Sequence, residues 1–320
     1  MKWKKLGKIF DPTKMDDGFK RDWMHEYAQC TSTIVYDDFV RIYFSTRPKQ
    51  GLDGQSISFT TFLDVKRDDL SKIINIAKEP ILPLGELGAF DEFAIYPTSV
   101  IRYGDKIRLY YAGWYRCQSV PFNTSIGLAS SNDGVKFKRE GRGPILSFSL
   151  DEPFVISGPK IRRFSDLWYL YYLSGREWIN NEGNPEIVYK IRMATSIDGK
   201  SWVKENNNII SDLLDEKECQ AGPDVFYYKN KYHMYFVYRH ALDFRNNKCR
   251  GYKIGYAYSD DLYNWIRNDQ DVGINYSKTG WDSSMHHYPH VFELDNKYYM
   301  LYNGNEFGKY GFGLAVLEND

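Results

Sequence analysis

Short runs of alternating apolar and polar side chains dominate the chain, each placed behind a turn residue. Asp38-Phe-Val-Arg-Ile-Tyr-Phe, Asp105-Lys-Ile-Arg-Leu-Tyr-Tyr, Asp166-Leu-Trp-Tyr-Leu-Tyr-Tyr, Asn230-Lys-Tyr-His-Met-Tyr-Phe and Asn296-Lys-Tyr-Tyr-Met-Leu-Tyr are five versions of one such run. A period of two sends successive side chains to opposite faces, so these segments read as strands that close hairpins. A partner strand lies just upstream each time, at Cys30-Thr-Ser-Thr-Ile-Val, Pro97-Thr-Ser-Val-Ile-Arg, Pro159-Lys-Ile-Arg-Arg, Pro223-Asp-Val-Phe-Tyr and Pro289-His-Val-Phe-Glu. From one leading Cys or Pro to the next the steps are 67, 62, 64 and 66 residues.

A third strand follows in every unit: Ile57-Ser-Phe-Thr-Thr, Ile126-Gly-Leu-Ala-Ser, Ile191-Arg-Met-Ala-Thr-Ser, Ile254-Gly-Tyr-Ala-Tyr-Ser and Phe312-Gly-Leu-Ala-Val. Their small residues let neighbouring sheets approach closely. A fourth strand is legible at Val135-Lys-Phe-Lys-Arg, Ser201-Trp-Val-Lys and Asn264-Trp-Ile-Arg, behind the turns Asn132-Asp-Gly, Ile197-Asp-Gly and Asp260-Asp-Leu. Four antiparallel strands repeated five times predict an all-β, five-bladed propeller. The last unit stops after its third strand, and Lys2-Trp3-Lys4-Lys5-Leu6 resembles the missing fourth. The N-terminal strand is therefore expected to pair into the last blade and close the ring, which removes an exposed sheet edge. No linker or low-complexity tract interrupts the repeats, so residues 1–320 are expected to form a single domain.

Composition narrows the partner class. Aromatic residues make up 17% of the chain, which favours strands and suits stacking on the apolar faces of sugars. Lys+Arg 42 balances Asp+Glu 42, which argues against nucleic acid, since phosphate neutralisation needs a basic excess. Cys30, Cys117, Cys219 and Cys249 are far apart and show no metal spacing. The N-terminus lacks the apolar core of a signal peptide, and no stretch is long enough to span a membrane. The expected location is the cytoplasm, with no membrane partner and no cofactor.

In a propeller the first strand of each blade lines the axis, so the segments leading into those strands are the candidate pocket. They are Trp23-Met-His25-Glu26-Tyr27-Ala-Gln29, Phe90-Asp91-Glu92-Phe93-Ala-Ile-Tyr96, Asp151-Glu152-Pro-Phe154-Val-Ile-Ser157, Glu218-Cys219-Gln220 and Trp281-Asp282-Ser-Ser-Met-His286-His287-Tyr288. Each carries a carboxylate. Acids converging on one pocket can supply a general acid and a general base, because like charges held close push one pKa upward. Hydrolysis of a glycosidic bond needs such a pair. His286, His287 and His290 cluster, but adjacent strand residues face opposite ways, so a metal is not expected; hydrogen bonds to sugar hydroxyls or an anion are. Arg116, Lys160, Arg239, His240 and Arg245 are cations suited to a phosphate or a sugar carboxylate.

With its Asp133-Gly134-Val-Lys-Phe137 and Asp198-Gly199-Lys-Ser-Trp202 turns and its Ile-Gly-x-Ala-x-Ser strands, the chain resembles the five-bladed propeller glycosidases of families 43, 32 and 130 over its whole length. Trp23-Met24-His25-Glu26-Tyr27 is similar to the W-M-N-D-P opening of family 32, and Glu218-Cys219 to its E-C acid motif, here in the fourth blade; the R-D-P motif of that family is absent. The resemblance implies Glu26, Asp91 (or Glu92) and Glu218 as nearest counterparts of the family 43 acids, with Glu152 competing. It also implies a basic phosphate site like that of family 130 phosphorylases at Arg116, Lys160, Arg239 and His290.

The expected activity is glycosidic hydrolysis with Glu218 as acid and Asp91 or Glu26 as base, Glu152 and Asp282 orienting substrate or tuning pKa. Trp23, Tyr96, Trp114 and Tyr288 would form stacking walls, and His25, Gln29, Glu92, Gln220, Asp224, His287 and His290 further contacts. Phosphorolysis, glycosyl transfer and non-catalytic binding of a sugar or nucleotide-sugar are the alternatives. In all of them the ligand is a carbohydrate or a sugar phosphate.

Overall fold

The computed structural model describes residues 1–50 and 56–318. The strands in chain order are β1 (Trp3–Phe10), β2 (Glu26–Val35), β3 (Phe39–Arg47), β4 (Phe59–Lys66), β5 (Ile73–Ile76), β6 (Ala94–Tyr103), β7 (Lys106–Arg116), β8 (Phe122–Ser131), β9 (Lys138–Arg139) and β10 (Ile156–Phe164). They continue with β11 (Leu167–Asn181), β12 (Asn184–Ser196), β13 (Val203–Lys204), β14 (Cys219–Tyr228), β15 (Lys231–Arg239), β16 (Lys253–Ser259), β17 (Ile266–Arg267), β18 (His287–Leu294), β19 (Lys297–Asn303) and β20 (Phe312–Leu317). They form five antiparallel four-stranded sheets, β2–β5, β6–β9, β10–β13, β14–β17 and β18-β19-β20-β1. The molecule is the expected five-bladed propeller. β1 runs antiparallel to β20, from Trp3 opposite Leu317 to Phe10 opposite Phe312, so the N-terminal strand closes the ring as its sequence predicts. The fourth strand of the first blade, β5, was not identified from its sequence; Ile-Ile-Asn-Ile offers no turn-plus-aromatic signature.

Hydrophobic clusters fill the wedges between consecutive blades. Ile34, Tyr43, Ile95 and Leu109 pack the first against the second. Tyr110, Ile126, Ile161 and Trp168 do so for the second and third, and Tyr171, Met193, Val225 and Phe236 for the third and fourth. Trp3, whose indole N–H donates to the Tyr235 hydroxyl at 2.7 Å, ties the closing strand to the fourth blade.

Around the axis every first strand carries a bulge at the same place, and the residue after it is Ser32, Ser99, Lys160, Asp224 or His290. Three of these stitch one blade to the next through one kind of bond. Ser32 Oγ accepts the Val100 N–H at 2.9 Å, Ser99 Oγ accepts that of Ile161 at 3.0 Å, and Asp224 Oδ2 accepts that of Val291 at 2.8 Å. His290 Nε2 meets Thr33 Oγ1 at 2.9 Å and joins the last blade to the first. Lys160 breaks the pattern, because an ammonium cannot accept; Arg162 donates to the Val225 carbonyl instead. Within the bulge, Gly158 and Gly222 sit at φ +59° and +56°, and the equivalent Cys30 and Tyr288 carry side chains at 58° and 48°. Backbone strain of this kind concentrates where a binding surface is being shaped.

Candidate functional site

The bulged first strands surround an axial cavity of about 430 Å³. Tyr27, Gln29 and Cys30, Tyr96 and Thr98, Ser157, Gly158 and Lys160, Ala221 and Gly222, and His287 and Tyr288 are the wall residues from the five first strands, and no carboxylate is among them. One aromatic wall runs from Tyr96 to Trp114, Phe122 and Trp178, with successive ring centroids 5.9, 4.5 and 5.6 Å apart. The opposite wall holds Tyr189, Tyr252, Phe244 and Phe307, and the Tyr189 and Tyr252 hydroxyls hydrogen-bond each other. Three polar atoms of the lining, Trp114 Nε1, Gln29 Oε1 and Thr98 Oγ1, are buried with no partner among the described residues.

Four cations border this cavity: Arg47, Lys160, Arg239 and Arg245. Arg239 is only 2% exposed, stacks on Phe244 with its guanidinium carbon 3.6 Å from the ring centroid, and donates to Tyr189 Oη and to the His240 and Ala241 carbonyls. Arg47 stacks on Tyr27 and donates to Ser58 Oγ and Tyr96 Oη at 3.1 and 3.2 Å. Neither arginine has a carboxylate partner among the described residues. Lys160 is fully inside the hub, with its ammonium 3.1 Å from the Thr31 carbonyl and 3.8 Å from Asp224 Oδ2. Burial pushes its amine below the ordinary lysine value, against the pull of Asp224. Asp224 is shared with Arg162 and with His290 Nδ1 at 2.8 Å; burial opposes its ionisation, but Arg162 and Lys160 outweigh it and hold the carboxyl below its usual range. Burial, helped by Lys160, brings His290 down to about 4 and leaves it neutral. Burial likewise lowers His287, with Arg239 adding to the effect. Two cations against one carboxylate thus leave the hub positive beneath the cavity.

The repeated carboxylates lie elsewhere. Asp91 Oδ2 accepts from the Tyr111 hydroxyl at 2.9 Å and from Arg139 Nε at 2.8 Å. Glu152 is bound by Tyr172, Arg192 and Lys204. Glu218 takes Arg267 at 2.6 Å and the Leu213 and Leu214 N–H groups at 3.0 Å. Asp282 takes Lys5 at 2.6 Å and the Tyr302 hydroxyl at 3.0 Å. In each case the acid precedes the first strand of a blade and the cation sits on the outermost strand of that blade, β9, β13, β17 or β1. The carboxylate clamps the inner and outer edges of the sheet together, and none of the four lines the cavity.

Among the other anticipated residues, Tyr96, Trp114, Gln29, Lys160, Arg239, Arg245, His287 and Tyr288 line the cavity, and Asp224 and His290 lie directly beneath Lys160. The remainder are not in its wall. Glu26 reaches Lys309 at 3.7 Å, and Glu92 caps the Gly88 N–H. Trp23 packs against Phe59, and His25 is exposed on the outside. Arg116 stacks on Phe93, Gln220 is buried against Asp212 and Glu218, and His240 meets Asp215 at 3.5 Å. Cavity residues that the sequence did not point to are Arg47, Trp178, Glu186, Tyr189, Tyr252 and Phe307. Glu186, the single carboxylate of the lining, stands on β12 in an ion pair with Arg245. The extra length of β11 and β12, 15 and 13 residues, is the one signal that would have exposed Trp178 and Glu186.

No family model matches the chain. Over all 320 residues of both sequences it is 35% identical to the uncharacterized protein Rv1502 of Mycobacterium tuberculosis (strain ATCC 25618 / H37Rv). It is 25% identical over 162 residues to the beta-1,2-mannobiose phosphorylase of Thermoanaerobacter sp. (strain X514), covering 46% of this chain and 51% of that protein. A solved glycoside hydrolase superposes with a TM-score of 0.75 at 16% identity, over 99% of this chain and 93% of that one, which bears out the expected likeness in fold.

Proposed function

We propose, from the premise that the chain belongs to one family with the full-length mycobacterial protein Rv1502, that this glycosidase-like propeller binds an anionic sugar in its axial cavity. A sugar phosphate or a sugar carboxylate would meet Arg47, Lys160 and Arg239 while its ring lies between the aromatic walls. The observation that carries this reading is the pair Arg47 and Arg239, buried or half-buried at the cavity without an acid partner among the described residues. An unpaired buried charge is costly, and an anionic ligand removes that cost while keeping the stacking. Hydrolysis with Glu218 as acid and Asp91 or Glu26 as base has less support, since each of these oxygens serves a partner outside the cavity wall. The unpaired thiols Cys30, Cys117, Cys219 and Cys249 suit the reducing cytoplasm, which we retain as the proposed location.

Isothermal titration of hexose 1-phosphates and hexuronates against the parent hexoses tests the reading. A charge-assisted hydrogen bond contributes about 1.5–3 kcal/mol, so at least one anionic sugar is expected to bind tenfold or more tightly than its neutral parent. That advantage should vanish in Arg239→Met and in Arg47→Met. Equal affinity for charged and neutral sugars, or binding of neither, refutes it.

One observation favours a second reading, phosphorolysis: the cavity offers one carboxylate beside a cationic floor rather than a pair of carboxylates. In that reaction an oxygen of hydrogen phosphate attacks the anomeric carbon, the glycosidic C–O bond breaks, and Glu186 relays the proton of the hydrogen phosphate to the departing oxygen. β-1,2-Mannobiose is the first substrate to try, given the mannobiose phosphorylase likeness. Release of mannose that requires inorganic phosphate and disappears in Glu186→Gln supports this reading; phosphate-independent release, or none, rejects it.

A further inference from the structure

A second cavity, of about 620 Å³, adjoins the axial one and shares Pro121, Pro185, Glu186, Phe244 and Arg245 with it. Its other walls come from three loops of the second, third and fourth blades: residues 117–120, the tip of the β11–β12 hairpin, and residues 243–246. The chemistry of the two spaces differs. The inner one is walled by aromatic rings and cations; the outer has a single aromatic ring, Phe244, and one carboxylate of its own, Asp243, and is otherwise bordered by the neutral polar side chains of Gln118, Ser119, Asn181, Asn184 and Asn246. None of these five side chains makes a hydrogen bond to the described protein. Neutral amides and hydroxyls on an open wall offer both donors and acceptors, which matches the hydroxyls of an uncharged sugar and gives a second anion no cation beyond Arg245.

We propose that the outer cavity is a second sugar site, so that the ligand is a glycoside of at least two units: an anionic or phosphate-contacting residue inside and a neutral sugar outside. The linkage between them then crosses the Glu186–Arg245 pair, the one charged pair common to both cavities. This rests on the anionic-sugar reading of the inner cavity and adds the length of the ligand and the place of its glycosidic bond. It also accounts for the position of Glu186. A carboxylate at the boundary between two sugar sites stands where a linkage oxygen passes, whereas a carboxylate inside either site would face only ring hydroxyls.

The probe is an array of neutral and anionic glycans from one to four residues, titrated with labelled wild-type protein and with Gln118→Ala/Asn246→Ala, followed by titration in solution of the best binder and its inner monosaccharide alone. Wild type should hold anionic glycans of two or more residues about tenfold more tightly than the monosaccharide, the worth of two or so neutral hydrogen bonds. In the double variant that advantage of length should disappear. If the anionic monosaccharide binds as well as longer glycans, or if the double variant keeps the advantage, the second site is refuted while the inner anion site stands. If no anionic glycan of any length binds, both are refuted. Circular dichroism and thermal unfolding of the variant, whose altered side chains make no bond to the fold, check that a loss is not one of structure.

Discussion

Replacing Glu218 by Gln separates a structural acid from a catalytic one. Glu218 is fully buried, and Arg267, its partner at 2.6 Å, is 6% exposed. Oε2 accepts from two backbone N–H groups, and Oε1 from Arg267 and from the Gln220 amide. A glutamine keeps one oxygen for Leu213 and Leu214 but turns its NH₂ toward the guanidinium, donor against donor. Removing one member of a buried ion pair costs about 3–5 kcal/mol. Asp269 remains beside Arg267 at 2.9 Å, which places the expected loss near the lower end, about 3 kcal/mol. With an unfolding entropy of about 2.1 cal/mol/K per residue, that loss lowers the Tm of a chain this size by about 4–5 °C. Urea titration and calorimetry read it directly, and the same sample is titrated with the sugar phosphate that wild type prefers. The clamp role predicts lost stability and a ligand Kd within about twofold of wild type. An unchanged Tm together with lost turnover or binding refutes it and restores Glu218 as the acid.

Other positions give independent checks. Gly199 holds φ +70°, with the place of a Cβ 2.6 Å from Tyr110 Oη, so Gly199→Ala should cost about 2 kcal/mol or more in urea unfolding through left-handed strain and a broken bond between the second and third blades. Lys5→Ala leaves Asp282 with Tyr302, Ser277 and His286 but no lysine beside it, and should cost about 2 kcal/mol while hydrogen exchange quickens first at Trp3–Phe10, the ring-closing strand. The fold should also weaken in acid. His290 titrates near 4 when folded against 6.5 when free, so between those values the unfolded chain binds the extra proton and stability falls with falling pH, by about 2 kcal/mol at pH 5. The difference in stability between wild type and His290→Asn, followed from pH 7 to 5, should shrink by that amount; a difference independent of pH contradicts the neutral, buried imidazole.

The fold was legible because period-two runs and turn residues are local, and five copies of each reinforce one another. Ring closure was legible too, since Lys2–Leu6 is a fourth strand with no first three before it. The cavity was legible only in part. Gln29, Tyr96, Lys160, His287 and Tyr288 sit on first strands, whose direction toward the axis follows from the architecture. Arg47 ends a second strand, Glu186 and Tyr189 belong to a third, Tyr252 to a loop and Phe307 to the short helical turn Asn305–Gly308. Their approach to the axis depends on how far each hairpin extends and how its loop folds back, which no short-range pattern encodes.

The carboxylates carry the more general lesson. An acid before the first strand of blade after blade suggested a ring of acids around a pocket, yet a propeller repeats whatever each blade needs to hold itself together. A ligand that is not five-fold symmetric needs the opposite, residues that one blade has and the others lack. Asp91, Glu152, Glu218 and Asp282 recur with a cation on the outer strand, and they serve the sheet. Lys160 stands where Ser32, Ser99 and Asp224 accept a hydrogen bond from the next blade, and it gives up that bond. Among the second strands only β3 and β15 place an arginine in the lining, Arg47 and Arg239, and Glu186 has no counterpart of its kind around the cavity. Restoring the pattern with Lys160→Ser should therefore strengthen the joint between the third and fourth blades through the Val225 N–H while weakening the grip on an anionic sugar. A loss of both stability and binding would show that the lysine serves the hub, with Asp224 as the group it is there to neutralise.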